Sequence, residues 1–552
     1  MFKTLRKLSI RFLSNFSIYQ LLKIVSLGHL DEEAIVCNES HISRRKLLAD
    51  IEKIAKVLLG MEVEKGDTIL VATNRSCYEN IELFFAANRI GAKISFLDRG
   101  YSDMMILDYL NLFGAKVLVH DGRSEESIRG IREGALALEN VLDLGNFDLL
   151  DGMAEDFSGK VPSEVFGGDN DALITFTSGS TSGPKPMLFT NRALISEALM
   201  AKYATGIQAY DKVLKRWLSY VKFDCPYGLW MSVISPILGG ACACLTPDIV
   251  PEKMVDAEAT REIFTRYFVD AKPNIICGIP MLLGGDLEKN LPEDCDLSHV
   301  KIFISGGERL EEADVWKGRK FFAQHGAMDL KIRNGYGVGE VLGCVAIGFG
   351  AGNATESVGK IVDGVRAVVL DSETDEILPV GATGMLYVGG PHLMKEYVGR
   401  PELTAEKIRV INGKRYVLTG DLARIDQKNR IVLVGRASFY INNLPAKVYY
   451  EVVRAAVETS PDVLKVYVVK MPDEKYRFRP IAFVVPKPGV FRTLETEAKI
   501  IDHSHLPFRI GEKEMQLKEY EIPKKVVFLD DFPRTRQEKI NFRELEKLAE
   551  EL

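Results

Sequence analysis

Between residues 43 and 97 the chain switches its hydrophobic period repeatedly, and this alternation restricts the folds open to it more than any other feature. Residues 43–59 place apolar side chains at three- and four-residue steps, the spacing of one helix face, whereas 68–72 is a short unbroken apolar run. Helical spacing returns over 78–89, and a second short run follows at 92–97. Helix and strand signals in alternation predict parallel sheets covered by helices. Further strand-like runs lie at 116–120, 239–245, 274–277 and 301–305. After about residue 360 the texture changes: the short segments 365–370, 384–388 and 431–434, separated by polar turns, predict a small β-rich subdomain. A new series begins beyond Gly435-Arg436, with a helix predicted over 448–458 and a strand over 463–469, which places a domain boundary at 435–438.

A chain of 552 residues is too long for one core and predicts about three or four folding units. The net charge of −6 gives no basic footprint for nucleic acid, so a small-molecule substrate is expected. The eight cysteines include no Cys-x-x-Cys pair and no histidines at zinc spacing, the pattern of reduced thiols in a cytoplasmic protein. Cys242 and Cys244 alternate in Gly240-Ala-Cys-Ala-Cys-Leu245 and are predicted to pack on one face of a strand. Residues 1–28 carry Lys3, Arg6, Lys7, Arg11 and Lys23 and no acid, but no apolar run long enough to span a bilayer. Two readings fit: a segment lying on an anionic membrane, or an amphipathic helix docked on its own protein, which is the favoured one.

Thr177-Ser-Gly-Ser-Thr-Ser-Gly-Pro-Lys185 follows the apolar run 172–176 and reads as a phosphate grip. Glycines such as Gly179 let successive N–H groups point inward. Thr177, Ser178, Ser180 and Thr181 add hydroxyl donors, and Lys185 adds positive charge. Walker A spacing is absent, because Gly183 is followed by Pro184 rather than by Lys-[Ser/Thr]. The loop resembles the signature Thr-Ser-Gly-Ser-Thr-Gly-x-Pro-Lys of the adenylate-forming enzymes, the superfamily of acyl- and aryl-CoA synthetases, nonribosomal peptide synthetase adenylation domains and luciferases. It matches every fixed position except Ser182, which stands for a glycine.

Further motifs follow in that superfamily's order, over roughly residues 40–546. Asn334-Gly-Tyr-Gly-Val-Gly-Glu340 resembles Tyr-Gly-x-Thr-Glu, which implies that Tyr336 and Gly337 border adenine and that Glu340 holds Mg2+. Hard carboxylate oxygen suits that ion, which would bridge it to phosphate oxygens. Gly339 stands where the motif has threonine. Ser305-Gly-Gly-Glu-Arg-Leu310 resembles the segment lining the adenine pocket, implicating Gly306, Gly307 and Glu308. Thr419-Gly-Asp421 matches the motif whose aspartate accepts from both ribose hydroxyls, chemistry that an ionised carboxylate permits, and Arg436 is similar to an arginine that reaches the same sugar. Near the C-terminus, Pro533-Arg-Thr-Arg-Gln-Glu-Lys539 resembles the segment that carries the catalytic lysine, implicating Lys539. A lysine ammonium there stabilises charge building on oxygens as a carboxylate attacks the α-phosphorus and pyrophosphate leaves.

The resemblance implies an α/β fold: a large N-terminal domain of two helix-covered sheets plus a small β-rich subdomain, joined to a small mobile α+β C-terminal domain. The corresponding boundaries are 1–434, with an N-terminal extension over 1–40 and the β-rich subdomain over about 360–434, then a hinge at 435–438 and the C-terminal domain at 439–552. An acid pocket is implied around Phe223-Asp-Cys-Pro-Tyr-Gly-Leu-Trp230, through Asp224, Cys225, Tyr227 and Gly228, together with Gly278 and Pro280. Phe-Asp here resembles amino-acid-activating relatives, whereas Pro-Tyr-Gly-Leu resembles aryl- and acyl-CoA ligases. Counting back from Gly240-Ala241 favours the ligase register. After the hinge the chain departs from the family pattern: Pro445 replaces the glycine that passes a pantetheine arm, and Ser438 replaces the hinge acid. The expected activity is ATP- and Mg2+-dependent activation of a small carboxylic acid as an acyl-adenylate, then transfer to a thiol, with CoA as the acceptor. One alternative acceptor is the phosphopantetheine of a separate carrier protein. A nucleotide-binding protein without turnover is the alternative of another class.

Overall fold

The computed structural model describes every residue except 1–11, 74–76, 98–99, 145–152, 156, 158, 160, 162–166, 178–183, 206–214, 222, 224, 250–253, 255, 349–356, 372–373, 437–439, 443–446, 511–512 and 535–539. Two compact units are formed. The first comprises Met1–Ala354, Ile361–Arg366 and Val388–Val417, and the second Thr355–Lys360, Ala367–Tyr387 and Leu418–Leu552.

The first unit holds two sheets. In one, of seven strands, Thr68–Ala72 lies between Lys93–Leu97 and Ala115–His120, with Asn140–Asp143 beyond the latter and Asp171–Phe176 beyond the former, all parallel. Pro186–Thr190 then adds antiparallel to Asp171–Phe176, and the edge strand Glu396–Tyr397 antiparallel to Pro186–Thr190. Strands buried on both faces carry continuous apolar runs, which is why Thr68–Ala72 reads as it does. In the other sheet Lys331–Val338, Ile302–Ser305, Ile275–Gly278, Arg216–Ser219, Cys242–Leu245 and Glu33–Cys37 run parallel in that order. The two-sheet, helix-covered architecture is the expected one.

Helix ends follow local chemistry. Ser43 caps Arg44–Gly60 by accepting from the Lys46 N–H, and that helix buries Leu47, Ile51, Ile54 and Leu58 on one stripe. Gly91, at φ 81°, closes Tyr78–Ile90 in the left-handed conformation that glycine adopts without strain. Ile18–Ser26 begins with a capping box between Ser17 and Gln20 and buries Ile18, Leu21 and Leu22. Its first turn is held by the side chains of Asn191 and Asn88, which accept from the N–H groups of Ile18 and Tyr19 at 3.2 and 2.9 Å. Ile18–Ser26 therefore docks on its own protein, while Lys3, Arg6, Lys7 and Arg11 of the same expectation lie outside the described residues. Cys242 and Cys244 are fully buried in one cluster while Ala243 faces another, the strand alternation expected. All eight cysteines are free. Among the described residues no helix is long and apolar enough to cross a membrane.

In the second unit residues 421–425 pair antiparallel with 431–436. A three-stranded sheet of Val463–Asp473, Arg477–Pro486 and Lys525–Phe528 carries the helices Tyr450–Glu458, Leu494–His503 and Phe542–Glu550. Its cores centre on Val453, Val466, Val484 and Ile500, and on Val469, Phe483 and Leu545.

Candidate active site

Adjacent parallel strands bring several of the expected residues to one sheet end. Their register sets Gly278, Ser305 and Asn334 side by side at the carboxyl ends, where open α/β sheets present ligand sites. Gly306 N–H donates to the Gly278 carbonyl at 3.1 Å, so the Gly306-Gly307-Glu308 turn begins directly beside Gly278-Ile-Pro280. Gly307 adopts φ 85° and is exposed, while Glu308 is half-buried. Tyr227 closes this edge: its hydroxyl donates to the Gly278 and Ile304 carbonyls, 2.9 and 3.0 Å away, and a Cβ on Gly306 would meet its ring at 3.2 Å. Burial, with the thiols of Cys277 and Cys225 nearby, pushes its phenol well above the ordinary range. Cys225 is half-buried, and its carbonyl accepts from the Leu229 N–H as the chain enters a π-helical turn over Tyr227–Ile234 that includes buried Gly228. Wide turns of this kind recur at functional sites, and no periodicity in the sequence announced it.

The phosphate-grip loop is closed at its base. Thr177 N–H donates to the Lys185 carbonyl at 3.1 Å, and Lys185 N–H donates to Thr177 Oγ1 at 3.2 Å. The Thr177 hydroxyl, expected as a ligand donor, thus also accepts a backbone bond. Ser178, Gly179, Ser180 and Thr181 lie outside the described residues, as do Asp224 and Lys539. Lys539 belongs to a segment whose ends are joined by a bridge between Arg534 and Ile540 and by the Asn541 N–H donating to the Pro533 carbonyl at 2.7 Å.

Tyr336 is half-buried opposite Ala346. At Gly337 a Cβ would sit 1.4 Å from the Gly343 carbonyl oxygen, so glycine is obligatory where these strands close up. Gly339 lies against the loop base: a Cβ there would be 4.0 Å from Thr177 Cα and 3.0 Å from Met187 Cε. A threonine here would press on the Met187 methyl, which would have to shift to admit it. Glu340 follows, half-buried, with Oε1 accepting from the Tyr397 hydroxyl at 2.6 Å. Sequence reasoning missed Tyr397, and equally Glu197, a fully buried acid whose Oε1 accepts from the Cys344 N–H at 3.1 Å. Burial raises the Glu197 carboxyl to about 8. Neither sits in a recognisable motif; only Glu197, an acid within a mostly apolar helix, left a trace.

In the second unit Asp421 and Arg436 face each other across paired strands and form an ion pair at 2.9 Å. Arg436 also donates to the Thr419 carbonyl at 3.1 Å, and Asp421 is almost fully buried. Fixed by the guanidinium, the carboxylate is a preorganised acceptor for paired hydroxyls. Gly435 precedes Arg436, and a Cβ there would meet Glu451 Cγ at 2.7 Å, which brings the first helix of the C-terminal segment hard against this strand.

A parallel-sheet unit with a closed Ser/Gly loop, a flanking carboxylate and glycine turns defines a nucleotide-handling enzyme. The family model for AMP-binding enzymes matches residues 25–398, and that for the AMP-binding enzyme C-terminal domain matches 453–539. The chain belongs to this AMP-binding family, the adenylate-forming superfamily, and is an AMP-forming ligase. The 4-coumarate–CoA ligase-like 9 protein of Arabidopsis thaliana is 28% identical over 432 residues, covering 77% of this chain and 71% of that protein. Bacitracin synthase 3 of Bacillus licheniformis is 25% identical over 540 residues, 96% of this chain but 8% of that protein. In fold, the chain is similar to the anthranilate CoA ligase AuaEII in complex with anthranoyl-AMP, with a TM-score of 0.79 at 18% identity, covering 97% of this chain and 98% of the other.

Proposed function

We propose that the protein activates a small carboxylic acid with ATP, releasing pyrophosphate, and transfers the acyl group from the adenylate to CoA. The observation that carries this reading is the closure of the Ser/Gly loop by Thr177 and Lys185 directly beside Gly339-Glu340, a juxtaposition suited to a polyphosphate and its cation. Thr177, Ser178, Gly179, Ser180, Thr181 and Lys185 take the phosphates; Gly306, Gly307, Glu308, Tyr336 and Gly337 border the base; Asp421 and Arg436 take the ribose. Lys539 is the proposed catalytic lysine, and residues 435–438 the proposed hinge.

Mg2+ fits this donor set. Among the described residues no group of three His, Cys, Asp or Glu side chains gathers as a metal cage. Such an all-protein cage is not how Mg2+ is usually held: Glu340 would supply one carboxylate, with substrate phosphates and several retained waters as the other ligands. The ion supplies charge neutralisation at the phosphates. The acid pocket is assigned to Asp224, Cys225, Tyr227, Gly228, Gly278 and Pro280. A cytoplasmic setting is supported by the eight free cysteines.

Loading of a separate carrier protein is the second reading, favoured by the match of nearly the whole chain to part of bacitracin synthase 3. Pyrophosphate release from ATP, measured across aliphatic, aromatic and amino acids with and without CoA, tests both. Turnover with one acid class that requires CoA is the expected result. Release limited to about one equivalent whether or not CoA is present favours the carrier, and ATP binding with no release for any acid overturns the ligase reading.

A further inference from the structure

We propose that Tyr397 is a positioning residue for Glu340, and that the strap 394–398 around it sets Glu340 in place relative to the phosphate-binding hairpin. The proposal rests on the reading of Glu340 as the carboxylate that holds the cation. The strap grips Glu340 twice: Met394 N–H donates to its carbonyl at 2.8 Å, and the Tyr397 hydroxyl donates to its Oε1 at 2.6 Å. The same few residues form the edge strand on Pro186–Thr190, which leaves the loop at Lys185. Lys395 N–H donates to the Leu188 carbonyl at 2.8 Å and Val398 N–H to the Pro186 carbonyl at 2.9 Å, with Tyr397 opposite Met187. Lys395 Nζ reaches the entering strand as well, at 2.9 and 3.0 Å from the two carboxylate oxygens of Asp171. One short segment is thereby bonded to both arms of the hairpin and to both the backbone and the side chain of Glu340.

The phenol is 3% exposed, so its ring cannot turn away into solvent. A carboxylate held through one oxygen by an immobile donor loses most of its rotational freedom, which presets the orientation of the other oxygen. Outer-shell donors of this kind typically change metal affinity by about 10- to 100-fold when removed. Tyr397→Phe keeps the buried ring and deletes only the donor.

The test is calorimetric ATP binding without acid substrate, at stepped Mg2+ concentrations, for the wild type, Tyr397→Phe, Glu340→Gln and the double variant. Melting temperatures without Mg2+ check that each is folded. Tyr397→Phe is expected to raise the Mg2+ concentration for half-maximal ATP binding about tenfold, leaving ATP affinity without Mg2+ unchanged. In the Glu340→Gln background the same change is expected to add nothing. A shift with Glu340→Gln but none with Tyr397→Phe overturns the positioning role alone. Equal, additive shifts overturn it too, because Tyr397 then acts independently of Glu340. No shift with Glu340→Gln overturns the metal reading on which the proposal stands.

Discussion

Gly339 and Met187 share a tight space, in which a Cβ at 339 would lie 3.0 Å from Met187 Cε. A side chain at 339 would press on a methionine methyl that reaches across from the strand leaving the phosphate loop. Gly339→Thr is expected to cost about 1–3 kcal/mol, since overpacking forces neighbours off their rotamers, and Met187→Ala about 2–5 kcal/mol from the cavity left by a fully buried side chain. The double variant is expected to be more stable than the sum by at least about 0.5 kcal/mol. Urea unfolding of the four proteins checks this, and strict additivity would contradict the shared space. The motif residues Tyr336, Glu340, Asp421 and Arg436 were legible because their types and spacing carry the chemistry. Tyr397 was not, since nothing local distinguishes it from other tyrosines.

The helix Asn191–Thr205 is tied to the strand Gly343–Ile347 by Glu197, whose second oxygen has no partner among the described residues. Burial holds that carboxyl near 8 against an ordinary value of 4.5. Between those values the folded protein keeps a proton that the unfolded chain has released. Stability attached to Glu197 is thus complete below about pH 4.5 and is lost as pH rises toward 8, by about 1.4 kcal/mol per unit. Glu197→Gln removes this titration and still accepts from the Cys344 N–H. The variant is expected to melt higher than the wild type at pH 8, with the difference shrinking toward pH 5. Buried Glu82, also raised to about 8, leaves a residual slope in both proteins. Equal pH profiles for the two would show that Glu197 is charged when folded. The helices near 43–59 and 78–89 and the strands near 68–72, 116–120 and 463–469 were legible from periodicity alone. The strand Lys447–Tyr449, ahead of the helix Tyr450–Glu458, falls from 448 onward within the helix that the sequence predicts over 448–458, because 448–450 continues the apolar spacing while the pairing partner Tyr440–Asn442 lies several residues away.

The cores about Val453, Val466 and Ile500 and about Val469, Phe483 and Leu545 are distinct from those of the first unit and are expected to unfold separately from it, since cooperativity extends only as far as shared packing. Trp217, Trp230 and Trp316, the three tryptophans of the chain, all belong to the first unit. Tryptophan fluorescence therefore reports one unit and far-ultraviolet circular dichroism both. Noncoincident denaturation curves are the expected outcome, and superimposed curves would mean a single cooperative transition.

Alternating hydrophobic periods are decided within short stretches of chain, so the α/β class, the helices and strands named from them and the Ser/Gly loop could be read directly from the residues. What lies beside what depended on sheet order. The Tyr397–Glu340 bond spans 57 residues and the Glu197–Cys344 bond 147, and Gly339 meets Thr177 only because distant segments are brought together. Such contacts form when apolar faces are buried against one another, and a pattern of neighbouring residues specifies which face is buried but not which partner covers it.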